Sequence, residues 1–269
     1  MIPTKILLST CMILLPGLMM NSCKKNDTAV PAPPTTQEAI FKYPDSVLYL
    51  KNQSADNIVL PVSSSPGKYY GFPDGLQLDE NTGAIDLNKS ETGLRYRVTH
   101  VSPAGDSVST LIVVSGISYT DQFYHISAGD SIANPIYLAA ASQSVPLNGS
   151  LFDDGNGANT GGCSIKTDNG KINLAQSIRN GIFGSHPAND SRKDIEIAYR
   201  LNDKSDKSRN KLKIRLFYYA TMADVSADLL QTLRDRQNDG VFINGRGTTT
   251  GRSQDHGKSR PPCVIIIAN

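Results

Sequence analysis

The stretch LRYRVTHV, Leu94 to Val101, alternates apolar and polar residues without a break. Leu94, Tyr96 and Val98 fall on one side, and Arg95, Arg97 and Thr99 on the other. Only an extended strand sorts side chains with a period of two. The segment is therefore expected to lie in a sheet with one face buried and one wet. SPAGD follows as a turn, and SVSTLIVVSGI returns as the second strand of a pair.

The surroundings repeat this grammar. Between Ile40 and about Ser118, VLYL (Val47–Leu50) and IVLPV (Ile58–Val62) are brief apolar runs, and PGKYYGFPDG supplies turn residues. Short strands at regular spacing, with no helical period, predict a β-sandwich. The segment Gly75 to Val114 also resembles the immunoglobulin-like and cadherin-like repeats of bacterial surface proteins. The matching positions are Gly75, Leu76, Thr82, Gly83, Ile85, Gly93, Tyr96 and Val98. That resemblance implies an immunoglobulin-like fold over residues 40–118 and is silent on function, because such sandwiches host many roles.

From Tyr119 to Asn269 the pattern changes. DIEIAYRL (Asp194–Leu201) and KLKIRLFYY (Lys211–Tyr219) alternate. Ile195, Ile197, Tyr199 and Leu201 are expected inside, with Leu212, Ile214, Leu216 and Tyr218, while Lys211, Lys213 and Arg215 form a solvated face. NDKSDKSRN joins the two as a long hairpin loop. In DVSADLLQTLRDRQNDG, Val225, Leu229 and Leu233 recur every four residues, with Asp224 or Ser226 as cap and Gly240 as stop, which predicts a helix. A shorter helix is expected over 173–180, ended by Gly181, and VFIN and CVIIIAN read as closing strands. The expected fold class is thus an all-β immunoglobulin-like sandwich followed by an α+β domain over 119–269.

The chain opens on Lys5 and an apolar run from Ile6 to Met20, too short for the roughly 20 residues of a spanning helix. Residues 1–22 read as a secretory signal peptide. Ser22-Cys23-Lys24-Lys25-Asn26 resembles the lipoprotein signals of Bacteroidetes, with Asn21 standing where a small residue is usual. The resemblance implies lipidation at Cys23 and a membrane anchor with more than the two signals stable binding needs. Because Lys24-Lys25 replaces the acidic run of surface-export signals, it implies a cell-envelope lipoprotein of the outer membrane facing the periplasm. Residues 24–39, KKNDTAVPAPPTTQEA, read as a tether, with a reach of about 50 Å if extended.

Composition excludes some roles. With 27 basic and 25 acidic residues the net charge is +2, so no bulk field calls for nucleic acid. There is no tryptophan to form a sugar-stacking platform, although 11 tyrosines remain. Once Cys11 leaves with the signal and Cys23 is lipidated, Cys163 and Cys263 are left, and two thiols in an oxidising compartment are expected to pair.

Motifs for chemistry are sparse. AGDS occurs at Ala104–Ser107 and Ala128–Ser131, where a pair of turns explains it; no Gly-x-Ser-x-Gly or His-Glu-x-x-His is present. Gly257-Lys258-Ser259 ends a stretch with five residues between Gly251 and Gly257, where a phosphate loop needs four, and Pro261-Pro262 follow instead of a helix. DDGNGANTGG, Asp153 to Gly162, offers oxygens but places Ala158 and Ile165 where calcium needs ligands. No metal and no cofactor are expected. The residues left for ligand binding are Asp153 and Asp154 in the first loop and Arg246, Arg252 and His256 in the basic loop 244–260. The expected role is a non-catalytic binding or structural module that recognises a glycan or another envelope protein. The alternative is a hydrolase of polysaccharide or peptide linkages, sited between loops 151–163 and 244–262. The sequence assigns no oligomeric state.

Overall fold

A computed structural model describes residues 41–51, 55–139, 147–238 and 263–269. The chain is mostly β. Its first sheet is built on the alternating segment: β5 (Leu94–Val101) pairs antiparallel with β6 (Ser107–Val114), Tyr96 facing Ile112 and Val98 facing Thr110. β3 (Lys68–Phe72) adds on the far side of β5, and β1 (Val47–Leu48) lies parallel to β6. A second, two-stranded layer pairs β2 (Ile58–Val59) with β4 (Ile85–Asp86). Leu94, Tyr96, Val98, Ile112 and Val114 turn inward and, with Phe41, Tyr43, Tyr69, Ile85 and Leu87, form one core.

Three local expectations are corrected here. KYYGF is a strand rather than turn, because Tyr69 buries its ring while Tyr70 points out, and Gly71 is tolerated next to Leu76. VLYL and IVLPV each supply only two strand residues. The Thr82-Gly83 turn is closed by Asp79, whose carboxylate accepts from the backbone N–H groups of Asn81 and Thr82 (2.9 and 2.8 Å). Gly83 there has φ 72, and a Cβ would strike the Tyr69 ring at 2.8 Å, so only glycine fits.

β7 (Gly116–Tyr119) leads out of this lobe. The next strands are β8 (Gln122–His125), β9 (Ile132–Ala133), β10 (Pro135–Leu138), β11 (Leu151–Phe152) and β12 (Ile172–Asn173). The long hairpin β13 (Ser191–Arg200) and β14 (Arg209–Tyr219) follows, then β15 (Cys263–Ile267). Five of these form one sheet in the order β11-β13-β14-β15-β8, in which β15 runs parallel to both neighbours. That position explains why CVIII is apolar without alternation. Val264 and Ile266 join the core on one face of the sheet, Ile265 and Ile267 the core on the other, and all four are fully buried.

Helices cover both faces. On one side lie the short α1 (Gly157–Thr160) and α2 (Leu174–Arg179). Asn173 caps α2 by accepting from the Gln176 N–H at 2.9 Å, and Gly181 past its end has φ 76. On the other lies α3 (Ala227–Asn238), whose Leu233 packs on Phe217 and Tyr219. Ser226 receives the Leu229 N–H at 3.3 Å, while Asp224 closes a capping box with Thr221 one turn earlier. Because α3 covers them, Phe217 and Tyr219 are buried and Tyr218 is only half-buried, contrary to the simple alternation expected of β14. Gly240 and VFIN lie outside the described residues.

Both sheets belong to one compact unit, Ala39–Asn269. Their junction is a close backbone contact. Tyr199, on β13, shares a 2.7 Å hydrogen bond with the Thr92 hydroxyl and accepts from the Ile117 N–H at 3.4 Å. A Cβ on Gly93, where φ is 70, would lie 2.1 Å from the Ile117 carbonyl oxygen, and one on Gly116 would lie 2.5 Å from the Gly93 nitrogen. Tyr199→Phe removes a buried hydroxyl pair and is expected to lower stability by about 1–3 kcal/mol. Gly116→Ala is expected to cost more, because backbone must move. Urea unfolding midpoints check both, and the double variant should fall short of additivity because the two changes disturb one contact.

Candidate functional site

The first loop marked by sequence, 153–162, is committed to the fold. Asp153 takes φ 55 and buries its carboxylate under α1. One oxygen accepts from the Ala158 N–H at 2.8 Å; the other accepts from the Asn159 N–H and side-chain amide at 2.9 and 2.7 Å. Asp154 points the other way and sits between two guanidinium groups, with Arg200 Nε at 2.9 Å and Arg209 Nε at 3.0 Å. The general-acid or nucleophile role of the hydrolase alternative would draw on Asp154, which here neutralises arginines at the end of the β13–β14 hairpin. Arg246, Arg252 and His256 lie outside the described residues, as does Cys23.

The expected Cys163–Cys263 bond is corrected: Cys163 is a buried free thiol. It belongs to the core on the α1 and α2 face of the large sheet. The backbone of position 263 pairs with Arg215 on β14. Burial pushes the Cys163 thiol up to about 12, so it stays protonated and unreactive.

A second polar cluster joins the hairpin loop to the first lobe. Asp203 Oδ2 accepts from the Ser115 hydroxyl at 2.9 Å and from Tyr137 at 2.8 Å, while Oδ1 accepts from the backbone and hydroxyl of Ser205. Burial, and then donation to Asp203, push the Tyr137 hydroxyl well above its ordinary range. A carboxylate with four donors on its lone pairs clasps two segments and has little capacity left to take a proton from a substrate. Lys51 and Asp206 (3.5 Å) add an exposed ion pair beside it. NDKSDKSRN therefore works as a strap, which its composition did not reveal.

A broader surface, the outer face of β3, β5 and β6, sets aromatic, aliphatic and cationic groups side by side in water. Cross-strand register lays Phe72, Arg97 and Leu111 in one row and Tyr70, Thr99 and Ser109 in the next. Contacts confirm the shared face: the Arg97 guanidinium lies 6.0 Å from the Phe72 ring centroid, and the Thr99 and Ser109 hydroxyls are 2.8 Å apart. Tyr70 and Leu111 are 52% and 55% exposed, large apolar groups on the open face of the sheet, Tyr70 on its edge strand β3. The outward positions include Lys68, Arg95 and Arg97 and no carboxylate. Sequence identified Arg95, Arg97 and Thr99 as one wet face but missed Tyr70 and Phe72, because PGKYYGFPDG is rich in turn formers.

Among the described residues, no three His, Cys, Asp or Glu side chains are gathered to hold a metal ion, and no helix is long and apolar enough to cross a membrane. No family model matches the chain, and no curated protein does. Among solved structures the ectodomain of human desmocollin-1 is similar to it, at 13% identity over 64% of this chain and 35% of that one, with a TM-score of 0.22. The chain thus spans about a third of that ectodomain.

Two outcomes are expected from the charges and thiol described here. Cys163 should resist alkylation at pH 8 in the folded protein and react fully in denaturant, read by intact mass. Asp194 is held below the usual carboxylate range by its two hydrogen bonds from Arg215 (2.6 and 2.9 Å). With the folded pKa depressed, the pair's contribution is complete above the unfolded value of about 3.9. It is lost as pH falls through the lower folded value. Urea midpoints of Arg215→Gln and wild type should differ at pH 6 and converge in that acid window.

Proposed function

We propose that the protein is a lipid-anchored component of a bacterial cell envelope that binds another envelope protein without catalysis. Cys23 carries the lipid, residues 24–39 form the tether, and the anchor lies in the outer membrane facing the periplasm. The first lobe, residues 40–118, is an immunoglobulin-like sandwich. The second, residues 119–269, is an α+β domain that buttresses it. The observation that carries the reading is the open face of β3, β5 and β6.

That face has the composition of an interface core. Tyrosine, phenylalanine and arginine are the residues enriched where proteins dock, and its outward strand positions hold no glutamate or aspartate. Its rigid strands pre-organise the side chains, so little rotamer freedom remains to be lost on binding. Lys68 and Arg95 make an acidic patch the complementary partner. A glycan is the weaker fit, because the face carries aliphatic Leu111 and Val113 beside its aromatic rings.

The Asp203 strap and the Tyr199 junction support the same reading. They spend the buried polar groups between the lobes on holding them together, which suits a rigid presenting surface.

The test is capture of outer-membrane proteins by the purified chain, compared with Tyr70→Ser and Leu111→Asp. Both positions are more than half exposed, so folding should survive. Either change is expected to reduce retention of an acidic partner by about tenfold, the size of one lost hot-spot contact. Equal retention by the variants, or retention of polysaccharide alone, would overturn the reading.

A further inference from the structure

The run IVLPV has an unusual burial pattern. Continuous apolar runs belong in strands buried on both faces, yet here exposure alternates. Val59 packs on the first core and Pro61 lies by Gly83, whereas Ile58, Leu60 and Val62 are 51%, 57% and 56% exposed. Three large aliphatic groups thus stand exposed at alternate positions between Asn57 and Ser63, the first in β2 and the third at a bend. A sheet edge normally places polar side chains there.

The position of this stripe in the chain suggests its occupant. The Val62 N–H donates to the Lys42 carbonyl at 2.9 Å. The stripe therefore lies beside the point where the chain arrives from residues 1–40, one residue after the described structure begins. If Cys23 is lipidated, the 24–39 segment keeps this edge within about 50 Å of the bilayer. A tethered surface meets lipid at high effective concentration, so even a small apolar contact is populated. A second copy of the chain is a poorer occupant, since three half-exposed side chains supply only a fraction of the roughly 800 Å² per partner of a stable interface.

We propose that Ile58, Leu60 and Val62 seat on the lipid surface and fix how the anchored protein stands on its membrane. This rests on lipidation at Cys23. The rim carries both signs, Lys42 on one side and Asp56 with the Asp86–Lys89 pair (2.8 Å) on the other. The contact is accordingly apolar and does not require anionic lipid. The face bearing Tyr70 and Leu111 is a different layer of the same lobe and remains available for a partner.

The absence of tryptophan makes the test direct. The full chain is expressed in a lipid-modifying bacterial host and reconstituted in phosphatidylcholine vesicles. It carries Leu60→Trp, or Val62→Trp as a second reporter, with Leu111→Trp as reference. Intact mass reports lipid on Cys23, and phosphatidylcholine brominated near the top of the acyl chain serves as quencher. The expected result is at least a twofold greater loss of emission, with a blue shift, at positions 60 and 62 than at 111. Lipidated protein in which all three reporters are quenched alike overturns the membrane contact and leaves the anchor intact. So does a dimer in sedimentation that shields the Leu60→Trp reporter from the quencher. Absence of the lipid mass overturns the anchor, and the contact with it.

Discussion

Backbone touches backbone where Gly93 meets Ile117, and the Tyr199 hydroxyl closes over the contact by bonding to Thr92. No side chain larger than hydrogen is admitted at Gly93 or Gly116, and a Cβ on Gly116 would also lie 2.6 Å from the Tyr199 hydroxyl, so these glycines let the first lobe close on the β13–β14 hairpin. The remainder of the interface depends on that approach. It brings Ser115 and Tyr137 within reach of Asp203, and it sets Lys51 opposite Asp206. Buried hydroxyl and carboxylate groups are costly when unpaired, so once the glycines fix the distance, the polar groups favour the same geometry.

The β13–β14 hairpin is the mechanical centre. One face gives Ile195, Ile197, Tyr199, Leu212, Ile214 and Leu216 to the larger core. The opposite face begins with Phe217 under α3 and continues as a ladder of charges. Arg192 stacks on Phe217 at 5.4 Å, Asp194 meets Arg215, Glu196 meets Lys211, and Asp154 closes the end between Arg200 and Arg209. Such pairs add little stability individually. They satisfy the flank of a long hairpin. The second lobe spends these charges on pairing along its own hairpin, while the first lobe turns large apolar groups outward, the reverse of the usual arrangement.

That inversion bears on how the protein presents itself. Two separate surfaces of the first lobe leave large apolar groups in water, the row through Phe72, Arg97 and Leu111 and the stripe Ile58, Leu60 and Val62. Isolated exposed aliphatics are ordinary; several close together on one surface mark contact surfaces. A lobe with lipid on one layer and a partner on another would work as an oriented bracket.

The sequence by itself determined the strands whose faces differ in polarity. LRYRVTHV and DIEIAYRL declare their buried side because alternation records a one-sided environment, and the start of α3 is legible because Ser226, one of two cap candidates, acts on backbone within three residues. Tertiary structure decided what depends on a second element. PGKYYGFPDG becomes a strand because β5 supplies its hydrogen bonds and Tyr69 finds a core. Asp153 and Asp154 look like ligands until α1 and two arginines claim them. Cys163 looks like a disulfide partner until the core on the α1 and α2 face takes it in as a buried free thiol. In each case a local pattern fixes the local geometry, whereas the identity of a residue's neighbour is set by contacts far along the chain, which no local pattern encodes.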